Sequence, residues 1–210
     1  AAVSALQKNQ RKQNRRLGGR RFNSRLNMSQ VKGSTPSTLE SLVAGITKDN
    51  ANTVLPIVVY NLPNRDCSAS SSNGELTTLD EYKVYIDSIV AVLKNDTNIA
   101  TYGIQVVFIL EPDGIANIAD PDAGTCADDG NVDLYMKSLL YAAEQLESHG
   151  TLYLDAGHSA WISYTPKLGG LMDKISSTNW GKPLASYIRG FATNTSNYHA
   201  LGTAAPVDAF

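Results

Sequence analysis

The sequence predicts an α/β fold built on a parallel sheet, and two observations carry this. Strand-like apolar runs, at Leu55 to Asn61, Ile104 to Leu110, Thr151 to Leu154 and Ile188 to Ala192, alternate with helical patterns, as in a right-handed βαβ series. Three of the runs lead into carboxylates among polar and aromatic neighbours: Asp66 in Tyr60-Asn61-Leu62-Pro63-Asn64-Arg65-Asp66-Cys67, Asp113 in Glu111-Pro112-Asp113-Gly114, and Asp155 in Leu152-Tyr153-Leu154-Asp155-Ala156-Gly157-His158-Ser159-Ala160-Trp161. Ligands bind and catalytic residues collect at the carboxyl ends of parallel strands, so acids delivered in this way point to one shared site. The plainer alternative is that each acid caps the helix or turn that follows it.

In chain order, residues 1–32 come first, with nine Lys or Arg and no acid. The rest of the chain then holds nine basic and 20 acidic residues, a net of −11 hidden beneath an overall −2. A basic arm of this kind can bind nucleic acid or an anionic surface. It has few large apolar residues to fold around, so residues 1–36 are read as a solvated, flexible extension and 37–210 as the folded domain. Leu55 to Asn61 reads as a buried parallel strand. Thr78-Leu79-Asp80-Glu81 is a capping box that opens a helix reaching about Lys94. Ile104 to Leu110 is the next strand. Val132, Tyr135, Met136, Leu139, Leu140, Ala143 and Leu146 fall on one helical face, in steps of three and four, so this helix packs one side on the sheet. Thr151 to Leu154 and Ile188 to Ala192 follow as strands, separated by a Gly-rich, weakly periodic region around Thr165 to Pro183.

A chain of 210 residues with 42% hydrophobic content is long enough to bury its own core. No apolar stretch approaches the ~18 residues of a membrane span, so no membrane partner is expected. The N-terminus shows no apolar segment between its charges, which reads as a mature or trimmed chain. No Cys/His spacing suggests zinc, no Gly-rich loop suits phosphate, and no nucleophile elbow is present, so no metal or cofactor is expected.

The same runs carry a resemblance. Tyr60 to Cys67, Ser72-Asn73-Gly74-Glu75, Glu111 to Asn117, Leu152 to Trp161 and Arg189-Gly190-Phe191-Ala192-Thr193-Asn194-Thr195-Ser196-Asn197-Tyr198 resemble the cellulases of glycoside hydrolase family 6, in order from about Thr38 to about Ala205. The resemblance implies a secreted, extracellular endoglucanase or cellobiohydrolase on a distorted, TIM-like (β/α) barrel, acting as a monomer on cellulose or another β-glucan with inversion. It implies a role for each matching residue. Asp113 stands at the proton donor, in a turn stiffened by Pro112. To hold its proton Asp113 needs a raised pKa, which a like charge on Asp66 in the same cleft supplies; Arg65 beside Asp66 is alternatively its plain ion-pair partner. Tyr60 matches a tyrosine beneath the reactive sugar, and Ser72 a loop serine that holds the attacking water. Asp155, His158 and Trp161 shape the leaving-group side, where an indole stacks on sugar and Asp and His bond its hydroxyls. Arg65, Asn194 and Asn197 complete the substrate-binding set. Each has an ordinary counterpart: a strand tyrosine in the core, a flexible serine turn, a structural histidine.

Two cysteines in the extracellular setting so implied suggest one disulfide, Cys67 to Cys126, and the resemblance supports that pairing; the alternative is two free thiols in a cytosolic protein. Sequons at Asn27, Asn95 and Asn194 are compatible with secretion. The family's first strand is not recognisable in the basic arm, and the sequence stops at Phe210, before the segments where the family carries a further carboxylate and a lysine. Tyr164 stands for a second aromatic expected after Trp161, and Asn61 and Asn64 stand where many members carry Asp. The expectation is therefore a barrel incomplete in this chain, with weak turnover by the chain alone. The competing readings are a non-catalytic β-glucan-binding protein and an inactive truncated member of the family.

Overall fold

The structure, a computed structural model, describes residues 25–26, 39–67, 74–119, 124–158 and 165–196. Among these, five strands form one all-parallel sheet in sequential order: β1 (Arg25–Leu26), β2 (Val54–Val59), β3 (Gln105–Leu110), β4 (Thr151–Asp155) and β5 (Gly190–Ala192). The α/β class and all four strand runs read from the sequence are present, with ends shifted by one or two residues. Strand β1 lies within the stretch 1–36 that the sequence sets apart as an extension. With two residues it has no alternation to read; the partner defines it, through Arg25 opposite Val58 and Leu26 opposite Val59.

Strand β2 contains Pro56, which a central strand tolerates poorly because proline lacks an N–H. The ladder bonds that flank the β2–β3 pair run from Gln105 N to Thr53 O and from Glu111 N to Val59 O. Odd-numbered residues of β2 therefore face β3, and Pro56 faces β1, whose pairing among the described residues begins only at Val58.

The helices are α1 (Leu39–Ala44), α2 (Leu79–Asn95), α3 (Asn98–Thr101), α4 (Gly114–Ala119), α5 (Asp129–Leu146) and α6 (Thr165–Ser176). At α2 the capping box forms as read: the Glu81 amide donates to Thr78 Oγ1 at 3.3 Å and Glu81 Oε2 accepts from the Thr78 amide at 3.0 Å. One face of α2 buries Tyr82, Tyr85, Ile86, Ile89, Val90 and Leu93. It packs beside α5, which buries the predicted face from Tyr135 to Leu146, with Val132 only partly covered. The core runs between these helices and the alternate inward residues of the strands, among them Ile57, Val59, Phe108, Leu110, Leu152 and Leu154.

Helix α6 occupies the region read as Gly-rich and weakly periodic. Leu171 and Ile175, one turn apart, are its buried contacts. A Cβ at Gly170 would stand 2.6 Å from the Ala119 carbonyl oxygen, so the glycine permits close contact with the end of α4 instead of breaking the helix.

Candidate active site

The strand register brings the predicted motifs to one level. Val59 pairs with Leu110 and Leu110 with Leu154, while Asp155 pairs with Ala192. The next residues of β2 and β3, Tyr60 and Glu111, and the last of β4, Asp155, therefore emerge side by side at the carboxyl edge.

There the backbone departs from regular geometry. Asn64, Asp66, Glu111, Asp113 and Asn194 all have left-handed backbones, with φ of 53°, 59°, 46°, 69° and 60°. Asn and Asp enter this region with modest difficulty, Glu less readily, and each such residue costs on the order of 1–3 kcal/mol. Strain of this kind persists only where the surroundings over-determine it, and it clusters at functional sites.

Here the surroundings can be named. The Glu111 carboxylate is fully buried. It accepts from the Asn61 amide at 2.9 Å and the Leu62 amide at 3.1 Å, both on Oε2, and from the Tyr82 hydroxyl at 2.7 Å on Oε1. Burial pushes its carboxyl up to about 7, against the pull of these bonds and of Arg65. The Gly114 amide returns to Glu111 O at 3.0 Å, which closes the turn that holds Asp113. A Cβ at Gly114 would lie 2.5 Å from Leu62 Cδ1, so a larger residue there must displace that side chain.

Asp155 secures the same turn from the other side. It is fully buried, and its Oδ1 accepts from the Asp113 amide at 3.0 Å and the Gly157 amide at 2.8 Å. Burial pushes its carboxyl up to about 6 against bonds from Thr195, Asp113 and Gly157, and the Asp113 charge adds to the rise. The Asn194 amide donates to Gly157 O at 2.8 Å, joining β5 to this end of the sheet. His158 is buried at the end of the same loop.

The loop after β2 is tied down along its length. Asn64 N donates to Leu76 O at 2.9 Å, Tyr135 OH donates to Asn64 O at 2.9 Å, and Cys67 is bonded to Cys126 with 5.4 Å between Cα atoms. The Arg65 guanidinium lies 4.2 Å from the centroid of the Tyr60 ring and donates through Nη1 to Tyr60 O at 2.9 Å. Burial raises the Tyr60 phenol; Arg65 opposes this, while Asp113, Asp66 and Glu111 add to it.

The family model described as Glycosyl hydrolases family 6 matches residues 7–209. The chain belongs to this family. The matched span begins inside the basic stretch, as strand β1 does. The chain is 35% identical over 177 residues to the 1,4-beta-D-glucan cellobiohydrolase CEL6A of Pyricularia oryzae, covering 77% of this chain and 34% of that protein. It thus spans about a third of the length of the curated relatives it matches. The structure of cellobiohydrolase II (Cel6A) from Humicola insolens in complex with glucose and cellotetraose superposes with a TM-score of 0.64 at 33% identity, over 80% of this chain and 48% of that one. Endoglucanase CEL6B from Humicola insolens gives 0.59 at 26% identity, over 98% and 63%. The fold is accordingly that of the family 6 distorted, TIM-like barrel, of which the described residues supply five parallel strands.

Of the residues assigned to the site from the family 6 motifs, the structure brings Tyr60, Arg65, Asp66, Asp113, Asp155, His158 and Asn194 to one edge of the sheet. Ser72, Trp161 and Asn197 lie outside the described residues, as does Tyr164. Asp155 is engaged with backbone amides and sealed from solvent, a position from which it aims Asp113. The motifs leave Glu111, Tyr82 and Tyr135 unassigned. The tyrosines look like ordinary core at helical spacing. Glu111 had a signal, a carboxylate directly after an apolar strand, but Asp113 two residues later drew the assignment.

Proposed function

We propose that this chain carries the proton-donor side of an enzyme that hydrolyses β-1,4-glucosidic bonds in cellulose or a related β-glucan with inversion. Asp113 is the general acid, and Asp66 is the neighbour whose negative charge holds the proton on it. The observation that supports this best is the turn at Asp113: a left-handed aspartate whose amide is fixed on Asp155, at the sheet edge where the loop bearing Tyr60, Arg65 and Asp66 also emerges.

An inverting glycosidase protonates the leaving oxygen with one carboxylic acid while water, activated on the far side of the sugar, attacks the anomeric carbon; the acid and base lie roughly 6.5 to 9.5 Å apart to admit that water. In this reading Asp113 faces the leaving oxygen, Tyr60 supports the distorted sugar, and Arg65 orients Tyr60 by stacking on it. Ser72 holds the water, Asp155 fixes the Asp113 turn from behind, and His158, Trp161, Asn194 and Asn197 form the rest of the sugar-binding wall. Membership of family 6 and the cellobiohydrolase and endoglucanase names of the relatives support the substrate. The disulfide supports a secreted, extracellular protein.

Reducing-sugar release from soluble β-glucan tests the assignment. Asp113→Asn is expected to lower the rate by ~10² to 10⁴, the usual worth of a general acid. Near-normal turnover by that variant removes Asp113 from the role, and a wild-type chain that binds cello-oligosaccharide without any turnover is a binding protein or an inactive truncated member of the family instead.

A further inference from the structure

Glu111 has no part in the chemistry above, yet it combines two unfavourable features. It is a sealed carboxylate, and it is a glutamate in a left-handed backbone. A hydrophobic side chain of similar volume generally serves a core at least as well as a buried acid. Its bonds suggest what it does instead. The β2–β3 ladder ends where Glu111 N donates to Val59 O at 2.8 Å. Beyond that rung the chain leaves the sheet, and the amides of Asn61 and Leu62 turn to the Glu111 side chain. The carboxylate thus extends the ladder by two further rungs, into the loop that carries Arg65 and Asp66. Through its backbone the same residue closes the turn that carries Asp113, and Tyr82 of α2 holds the carboxylate in place.

We propose that Glu111 is a positioning residue: its backbone sets the turn bearing Asp113, its carboxylate pins the loop bearing Tyr60, Arg65 and Asp66, and the spacing of the two acids is fixed through this one residue. The inference rests on the roles given above to Asp113 and Asp66. The pinning of the two amides does not depend on the charge of Glu111, because a glutamine oxygen accepts from both, while its N–H reverses the bond with the Tyr82 hydroxyl.

Glu111→Gln and Glu111→Leu separate these effects. Leucine keeps the volume and removes the acceptors. Two readouts on the full 210-residue chain are needed: amide hydrogen exchange followed by NMR, and hydrolysis of cellotetraose, with Asp113→Asn alongside. For Glu111→Leu, protection of the Asn61 and Leu62 amides should fall at least about tenfold while Phe108 and Leu154 stay protected. Its kcat should drop about a hundredfold, with KM changed less than about threefold, as for lost alignment of catalytic groups. Glu111→Gln should retain the protection and remain within about threefold of wild type in both constants.

The proposal is overturned if the Leu variant keeps its Asn61 and Leu62 protection, if the Gln variant is as impaired as the Leu variant, or if the Leu variant unfolds or loses core protection in parallel, which would make Glu111 a general stability residue. Amide exchange reads the pinning without turnover. Loosened amides in the Leu variant together with full activity in Asp113→Asn would retire the general-acid assignment while leaving the pinning intact.

Discussion

Asparagine in place of Asp155 separates the charge of this side chain from its shape. Its Oδ1 accepts from the amides of Asp113 and Gly157, and an asparagine oxygen accepts the same two bonds. The geometry should persist and only the ionisation be lost. Burial, aided by the Asp113 charge, pushes the Asp155 carboxyl up to about 6 from an ordinary 3.8. A group that holds its proton more tightly when folded contributes stability that is fully present below its unfolded pKa and lost as pH rises through the folded one. The window here runs from about pH 4 to about pH 6, and a gap of about two units corresponds to about 3 kcal/mol. Asp155→Asn should therefore gain on wild type by about 3 kcal/mol as pH is raised from about 3 to about 8. Glu111, pushed up to about 7, has a slope of the same sign, but it is present in both proteins and cancels in the difference. Urea unfolding at several pH values, followed by the fluorescence of the two tryptophans, measures this, provided the m values agree. Parallel stability curves for the two proteins would refute the reasoning, because they would mean that Asp155 titrates alike folded and unfolded.

On the roles proposed for these two acids, Asp66→Asn should move the alkaline limb of the activity profile on soluble β-glucan to lower pH, because removing a negative neighbour favours ionisation of the acid beside it; an unchanged limb with full activity would leave Asp66 a structural residue. Gly114→Ala should destabilise by about 1–3 kcal/mol in denaturant titration, because its Cβ must displace the Leu62 side chain 2.5 Å away. A neutral outcome would show that Leu62 repacks freely. Reduction of Cys67–Cys126, which are 59 residues apart, should lower stability by up to about 4 kcal/mol on the chain-entropy model. Calorimetry in the presence and absence of reductant reads the loss, and coincident melting curves would show that the bonds of Asn64 and Tyr135 hold the loop unaided.

The strained backbones share a logic with the buried acids. Glu111 and Asp155 flank the turn that bears Asp113, one fixing its far end through the main chain and the other its amide through a carboxylate. A turn over-determined in this way keeps a left-handed aspartate in one orientation, and pre-organisation of that kind is what the proposed proton donor needs.

The sequence alone determined the elements whose signal is local. The apolar runs of β2, β3 and β4, the Thr78–Glu81 box and the periodic face of α5 are patterns of neighbours, and each formed where it was read. It also located the loops that carry Asp66 and Asp113 at the carboxyl edge, because a parallel strand delivers the segment that follows it to that edge whatever its partners are. Strand β1, helix α6 and the role of Glu111 were decided by tertiary structure. Two residues become a strand only beside Val58 and Val59; Gly170 is held in a helix against the Ala119 carbonyl, where a Cβ would not fit; and Glu111 is distinguished from Asp113 by amides 50 residues away in the chain. Periodicity and propensity describe what a segment prefers by itself, whereas these three features depend on contacts that exist only once distant segments have packed.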